Sequence, residues 1–530
     1  MSLLDAGFVA RTLLCLAAAG VVCPSAIARQ GMPPYSLAHP ARIAASVPTI
    51  DVAAIDAATV RTNQDARLNA TVGPHEKRLL IAAANPVAIT PQRDGLWQSL
   101  VDGSLLWRIQ VRARGATDLH LGFDRFELPD GATLYAIGAD GYYQGPYTSA
   151  DATAEGFWIP MLPGDSATVE LRIPATTTLT PDSVELSDVG AGFRDLFHPG
   201  NATLFTGPGT SGACNINVVC PLGQPYGNEI RAVAYYEFQS TDPDTGEPGT
   251  YICSGTLVSD VPHDLANYFL TAAHCVSSSS EASSMRVYWN YRSSQCATTV
   301  GYTLADNQSG TRLRASDADV DFSLVELNED PNPDWHVYYA GWDASNMTPT
   351  GTISIHHPNG DVAKITAGPR PTTTPNCVDS GAPNTHWQTG PYTQGTTEGG
   401  SSGSGLFVPA ATGANARLLI GTLTGGTAMC DSIDPSQPDD GYDCYGKLAS
   451  GWDGADASSR LRDWLDPADT GTLINAGIDS QATAPPPPQL PPGIADRVAA
   501  ERAAHWHRLH GIRPTGPPPP SGPRATIVVQ

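Results

Sequence analysis

Phe269-Leu270-Thr271-Ala272-Ala273-His274-Cys275 sets a histidine at the exit of an apolar stretch, beside a cysteine able to pin it. Asp321-Phe322-Ser323-Leu324-Val325-Glu326-Leu327 alternates as a strand does, and the aspartate at its entrance can turn back towards that histidine. Gly399-Gly400-Ser401-Ser402-Gly403-Ser404-Gly405 is a turn of small residues whose backbone N–H groups can converge on one point. Acyl transfer needs a nucleophile, a base within reach, an acid that orients the base, and donors for the oxyanion. These three stretches offer all four.

The sequence around them reads as β. The chain holds 52 Gly and 46 Pro but only 7% aromatics, which favours turns and short strands over helical bundles. Leu106, Ile109 and Val111 lie in one candidate strand, and Val169, Leu171 and Ile173 alternate in another. Residues 95–175 are expected to form an antiparallel β-sandwich preceded by a less regular arm. One helix is expected near the end of the region from 209 to 478. Ser458-Ser459 would cap it, Leu461, Trp464 and Leu465 would share one face, and Pro467 would stop it.

The first 28 residues read as an export signal. Arg11 precedes an apolar run from Thr12 to Val22, and Ala26-Ile27-Ala28 offers a small-residue cleavage site. Of ten cysteines, Cys15 and Cys23 fall in that segment, and the other eight all lie between Cys214 and Cys444. An even set in an exported chain without a CxxC points to disulfides and away from metal. The formal net charge of −23 would repel phosphates and anionic lipid, so neither nucleic acid nor membrane is an expected partner. Residues 479–530 are Pro-rich and read as a stiff tail. Only three residues are lysine, namely Lys77, Lys364 and Lys447, a scarcity that a genome favouring arginine codons would produce.

Thr-Ala-Ala-His-Cys around His274, Asp321 with its strand, and Gly-Ser-Ser-Gly-Ser around Ser402 resemble the trypsin-like serine peptidases, in the same His…Asp…Ser order. Further stretches resemble the bacterial lysyl endopeptidase branch: Ser211 to Pro221, Val287-Tyr288-Trp289-Asn290-Tyr291, Ala340-Gly341-Trp342-Asp343, Ile355-His356-His357-Pro358-Asn359 and Arg462 to Pro467. The resemblance implies an all-β fold of two six-stranded barrels with a C-terminal helix, spanning 209–478. Residues 29–208 would then be a β-sandwich-like propeptide.

Carried over residue by residue, Ser402 resembles the nucleophile, His274 the base and Asp321 its orienting acid, with Asp317 and Asp319 as rivals. Backbone N–H groups of Gly400 and Ser402 would form the oxyanion hole, at about 3 kcal/mol of barrier per donor. Ser401 also fits a G-x-S-x-G turn, but that arrangement needs a later histidine, and the next is His505 beyond the proline linker. Asp443 in Asp443-Cys444-Tyr445-Gly446 matches the branch's acidic pocket residue, although the nearby Asp431, Asp434, Asp439 and Asp440 leave open a solvated loop or a calcium site. The resemblance suggests bridges Cys214–Cys430, Cys220–Cys296 and Cys253–Cys275; a Cys377–Cys444 bridge would brace the pocket wall or reshape it.

Two departures stand out. The branch's Leu-His-Gly-Gly reads Leu423-Thr424-Gly425-Gly426, losing an imidazole beside the cleft. No Lys or Arg lies between Asp195 and Cys214, so another protease matures the chain, or the cut falls at Arg194, or the specificity differs. His356-His357 is read as structural, because neighbouring strand residues face opposite ways.

The expectation is a secreted, monomeric serine endopeptidase acting on proteins or peptides after Lys or Arg, with no metal and no cofactor. The alternative is an inactive homologue that serves as an extracellular binding protein.

Overall fold

The computed structural model describes residues 33–481 apart from 45, 71–74, 152–155, 198–208, 243–245, 375–381, 411–416 and 432. The expected export signal at 1–28, residues 198–208 at the expected junction, Cys377 and residues 482–530 of the expected tail lie outside the described residues. Among those described, no helix is long and apolar enough to cross a membrane.

The N-terminal part is a sandwich. One sheet runs Thr49–Asp51, Leu105–Arg112, Ser166–Ile173, Thr133–Gly138, Tyr143–Tyr147, and the facing strands are Phe157–Pro163, Asp118–Phe126 and Val184–Gly192. Val111, Val169 and Leu171 from the first face pack with Leu119, Leu121 and Val189 from the second in one core. Alternation along Ser166–Ile173 buries every second residue, as a half-covered strand requires. One expectation needs correction: the sandwich continues to Gly192, because Val184–Gly192 supplies the strand that covers Asp118–Phe126. Within 95–175 the described pairings are antiparallel, and Thr49–Asp51 of the preceding arm adds a parallel edge to Leu105–Arg112.

Two six-stranded barrels follow. In the first, Val233–Thr241, Pro248–Leu257, Tyr268–Thr271 and Phe322–Leu327 pair in turn. Arg286–Tyr288 lines the other edge of Val233–Thr241, and the ring closes through Asn307–Ser309 and Thr311–Asp317. Those last two segments are halves of one strand bent at Gly310, whose φ of +82° suits glycine. In the second barrel Lys364–Gly368, Thr352–His356, Gly405–Phe407, Leu419–Gly426, Asp443–Lys447 and His386–Thr389 pair in turn. Thr372–Thr374, the continuation of Lys364–Gly368, closes it on His386–Thr389.

The C-terminal helix is a single turn, Arg462–Leu465, with no side-chain cap. Asp456 accepts the Ser458 backbone and hydroxyl, and Ser459 bonds to the Asp456 backbone. These hydroxyls are committed to a turn, so the helix starts later than expected. Leu461 and Leu465 are still fully buried, as the apolar spacing requires.

One strand ties the two parts together. Leu79–Ala83 pairs with Val184–Gly192 of the sandwich on one edge and with Pro248–Leu257 of the first barrel on the other. At the same boundary, buried His120 of the sandwich meets Glu237 of the barrel at 2.8 Å, and Glu237 also binds Arg286 at 3.0 Å.

Candidate active site

His274 leaves the Tyr268–Thr271 strand on the short turn that follows it. The Cys253–Cys275 bridge fastens the next residue to the neighbouring strand. Asp321 takes a left-handed φ of +59°, which turns its side chain away from the strand it precedes and back to His274. Its two oxygens accept the His274 backbone N–H at 2.9 Å and approach Nδ1 at 2.8 Å. On the other side of the ring, Nε2 lies 2.7 Å from Ser402 Oγ. The three side chains sequence reading singled out therefore converge in the cleft between the barrels.

Burial pulls the His274 pKa down, but the Asp321 charge and hydrogen bond outweigh it, and the net shift is upward. For Asp321, burial raises the pKa, while His274 and a bond from the Thr424 hydroxyl more than offset it, leaving it low. Thr424 stands where an imidazole is lost, yet an imidazole remains close: His386 Nε2 lies 3.1 Å from the Thr424 hydroxyl. Sequence reading missed this pair because His386 comes from a different strand.

The rivals have other work. Asp317 accepts the backbone N–H groups of Asp319 and Val320. Ser401 Oγ lies 2.9 Å from His356 Nδ1 and accepts the Glu398 N–H, so it points away from His274. His356 is fully buried, with Thr366 on its second nitrogen, and burial holds its pKa well below the usual value. His357 is stacked on Tyr291 and bonded to the Asp361 carbonyl. Cys253, His274 and Cys275 do cluster tightly, but both sulfurs are spent in a disulfide.

Asp443 is completely buried at the base of a slot beside Ser402, and the slot is occupied by the side chain of Lys77. The Lys77 ammonium donates to Asp443 Oδ1 at 2.8 Å, the Thr397 hydroxyl at 2.6 Å and the Ala428 carbonyl at 2.8 Å. Asp443 Oδ2 accepts the hydroxyls of Thr397 and Tyr392. All three ammonium protons and both carboxylate oxygens are thus matched, as a buried pair needs. The Lys77 carbonyl accepts the Gly400 N–H at 2.5 Å, and its own N–H donates to Ser402 Oγ at 2.9 Å. Gly400 can aim its N–H this way at φ +91°, a conformation open to glycine.

Sequence reading did not place Lys77, Thr397 or Tyr392 here. The scarcity of lysine was visible, but nothing local marks Lys77 as the one that enters the cleft. Around the slot, Asp431, Asp434 and Asp439 each accept backbone N–H groups of their own loop. The bridges Cys214–Cys430, Cys220–Cys296 and Cys253–Cys275 are all present, and Cys444 is disulfide-bonded.

Two family models match the chain: the lysyl endopeptidase N-terminal domain over residues 51–188 and the lysyl endopeptidase C-terminal domain over 208–446. The lysyl endopeptidase of Pseudomonas aeruginosa is 30% identical over 360 residues, covering 63% of this chain and 71% of that one. Among solved structures, HtrA-type protease AlgW with a decapeptide is 15% identical at a TM-score of 0.26, covering 43% of this chain and 63% of its own, less than two thirds. The active form of the Rv3671c protease from M. tuberculosis is 13% identical at a TM-score of 0.25, covering 42% and 79%. Both structural matches are too partial to bear on the chemistry.

Proposed function

The chain belongs to the lysyl endopeptidase family of serine-type endopeptidases, and from that premise we propose that it hydrolyses proteins and peptides after lysine through Ser402, His274 and Asp321. In this reading Ser402 Oγ adds to the carbonyl carbon of the bond to be cut while His274 Nε2 takes its proton. Asp321 holds the ring by Nδ1 and stabilises the imidazolium. The N–H groups of Gly400 and Ser402 receive the charge on the oxyanion. His274 then protonates the leaving amine, and water repeats the sequence to release the acid.

The observation that carries the specificity is the Lys77 ammonium in the Asp443 slot. Four oxygens, from Asp443, the Thr397 hydroxyl and carbonyl and the Ala428 carbonyl, close around a compact ammonium. An arginine side chain would bring a wider planar fork to a site with a single carboxylate already bonded to two hydroxyls. Lysine is therefore favoured over arginine. The chain is read as exported and made with residues 29–208 as a propeptide, which fits the cysteine-free sandwich and the disulfides confined to the barrels.

The test is a digest of one unrelated protein by the secreted enzyme, with every new C-terminus read by mass spectrometry. Cuts after lysine that vanish with Ser402→Ala support the reading. Cuts distributed without regard to lysine, or undiminished in the variant, overturn it.

A further inference from the structure

Lys77 is not an isolated intruder. Before it, His75 and Glu76 pair antiparallel with Gly426 and Gly425 of the second barrel. After it, Leu79 and Leu80 pair antiparallel with Ile252 and Tyr251 of the first. Between the two, the Arg78 guanidinium donates to the His274 carbonyl and lies over the Tyr251 ring. The chain thus crosses the cleft extended, with a strand pairing on either side of one peptide bond. This is β-addition of a peptide, with the side-chain slot setting its register. The carbonyl of that bond is on the Gly400 N–H, and Ser402 Oγ accepts the backbone N–H of the same lysine.

We infer that the Lys77–Arg78 bond is a substrate of the chain's own active site, cut within the same molecule, so that processing starts in the segment that crosses the cleft ahead of the sandwich strands. This rests on the serine endopeptidase reading above. Ser402 Oγ adds to the Lys77 carbonyl carbon, and His274 passes the proton to the Arg78 nitrogen as the C–N bond breaks. Water then hydrolyses the Lys77 ester, leaving a Lys77 carboxylate and an Arg78 ammonium. Arg194, the other basic residue considered for self-cleavage, is only 1% exposed and is bonded to the Leu80 carbonyl and Asp65. It is enclosed in the sandwich side of the molecule, whereas Lys77 is already seated.

The nicked chain should stay assembled under native conditions, because Leu79–Ala83 remains paired on both edges. It separates only on denaturation. The experiment follows full-length precursor over time by denaturing electrophoresis, intact mass and N-terminal sequencing. The expected result is a fragment beginning at Arg78, formed at a rate unchanged by tenfold dilution and absent in Ser402→Ala. Lys77→Gln should lack that fragment while showing the near-UV circular dichroism and cooperative thermal unfolding of a folded chain. Arg78→Pro, which keeps Lys77 but replaces the leaving nitrogen, should stay intact there as well. A wild-type chain that hydrolyses the lysine peptide but keeps the Lys77–Arg78 bond, or nicks it at a rate proportional to concentration, overturns the inference. Loss of both reactions in the wild-type chain overturns the underlying function instead.

Discussion

The Asp443 carboxylate meets the Lys77 ammonium at 2.8 Å across 366 residues of chain, with both groups buried. Removing one partner of such a pair costs about 3–5 kcal/mol, because the other charge is left unpaired. Asp443→Asn should therefore lower kcat/KM for a lysine peptide by roughly two to four orders of magnitude. A matched peptide with an apolar residue at that position should change far less. Steady-state kinetics on the two peptides checks this; equal losses would remove Asp443 from the pocket.

Asp321 reaches both the His274 backbone and its Nδ1. Asp321→Asn keeps the size but offers the ring an amide, which favours the wrong tautomer. The expected fall in kcat is about four orders of magnitude. KM and the thermal midpoint should hardly move, which separates lost chemistry from lost folding.

In the proposed mechanism His274 must be neutral to take a proton; burial lowers its pKa, but Asp321 outweighs this and raises it above the ordinary 6.5. The kcat/KM profile should accordingly rise with pH through an inflection above 6.5. Activity is lost on acidification as the imidazole protonates. An inflection below the ordinary histidine value would contradict the Asp321–His274 coupling.

His120 couples the sandwich to the first barrel through Glu237, with Asp118 on its other nitrogen and Asp188 nearby. Burial lowers its pKa, but Glu237 and Asp118 outweigh this and raise it from 6.5 to about 9. Burial raises the Glu237 pKa, while Arg286 and His120 bring it down from 4.5 to about 2. The stabilisation from His120 is therefore complete below 6.5 and fades as pH rises through about 9, and that from Glu237 is complete above 4.5 and fades as pH falls towards 2. Between 6.5 and 9 the loss should be on the order of 3 kcal/mol, at about 1.4 kcal/mol per pH unit. Thermal unfolding of the precursor across that range should show a decline that is absent in His120→Gln.

Much of this was legible in the sequence because local pattern and chemistry coincide. His274 follows an apolar strand, Asp321 opens an alternating one, and Ser402 sits in a turn of small residues whose backbone N–H groups can converge. The sandwich strand Ser166–Ile173 was visible for the same reason, through the alternation of Val169, Leu171 and Ile173, whereas Leu105–Arg112 was legible only as an apolar run, Leu106 to Ile109 being buried without a break. What stayed hidden depends on partners remote in the chain. The parallel pairing of Thr49–Asp51, the His386–Thr424 contact and the entry of Lys77 into the cleft leave no periodic trace. The closing helix was overdrawn because Ser458 and Ser459 look like a cap but bond to Asp456.

The central claim is that the Ser402 hydroxyl, 2.7 Å from His274 Nε2, is the nucleophile. Its most direct test is to treat the purified, catalytically active protein with a phosphonate carrying a lysine-like side chain and to map the adduct by tandem mass spectrometry. One phosphonyl group per active molecule on Ser402, blocked in His274→Ala, is the predicted result. Label on Ser401 or another side chain, or none on an enzyme that still cuts lysine peptides, would contradict it.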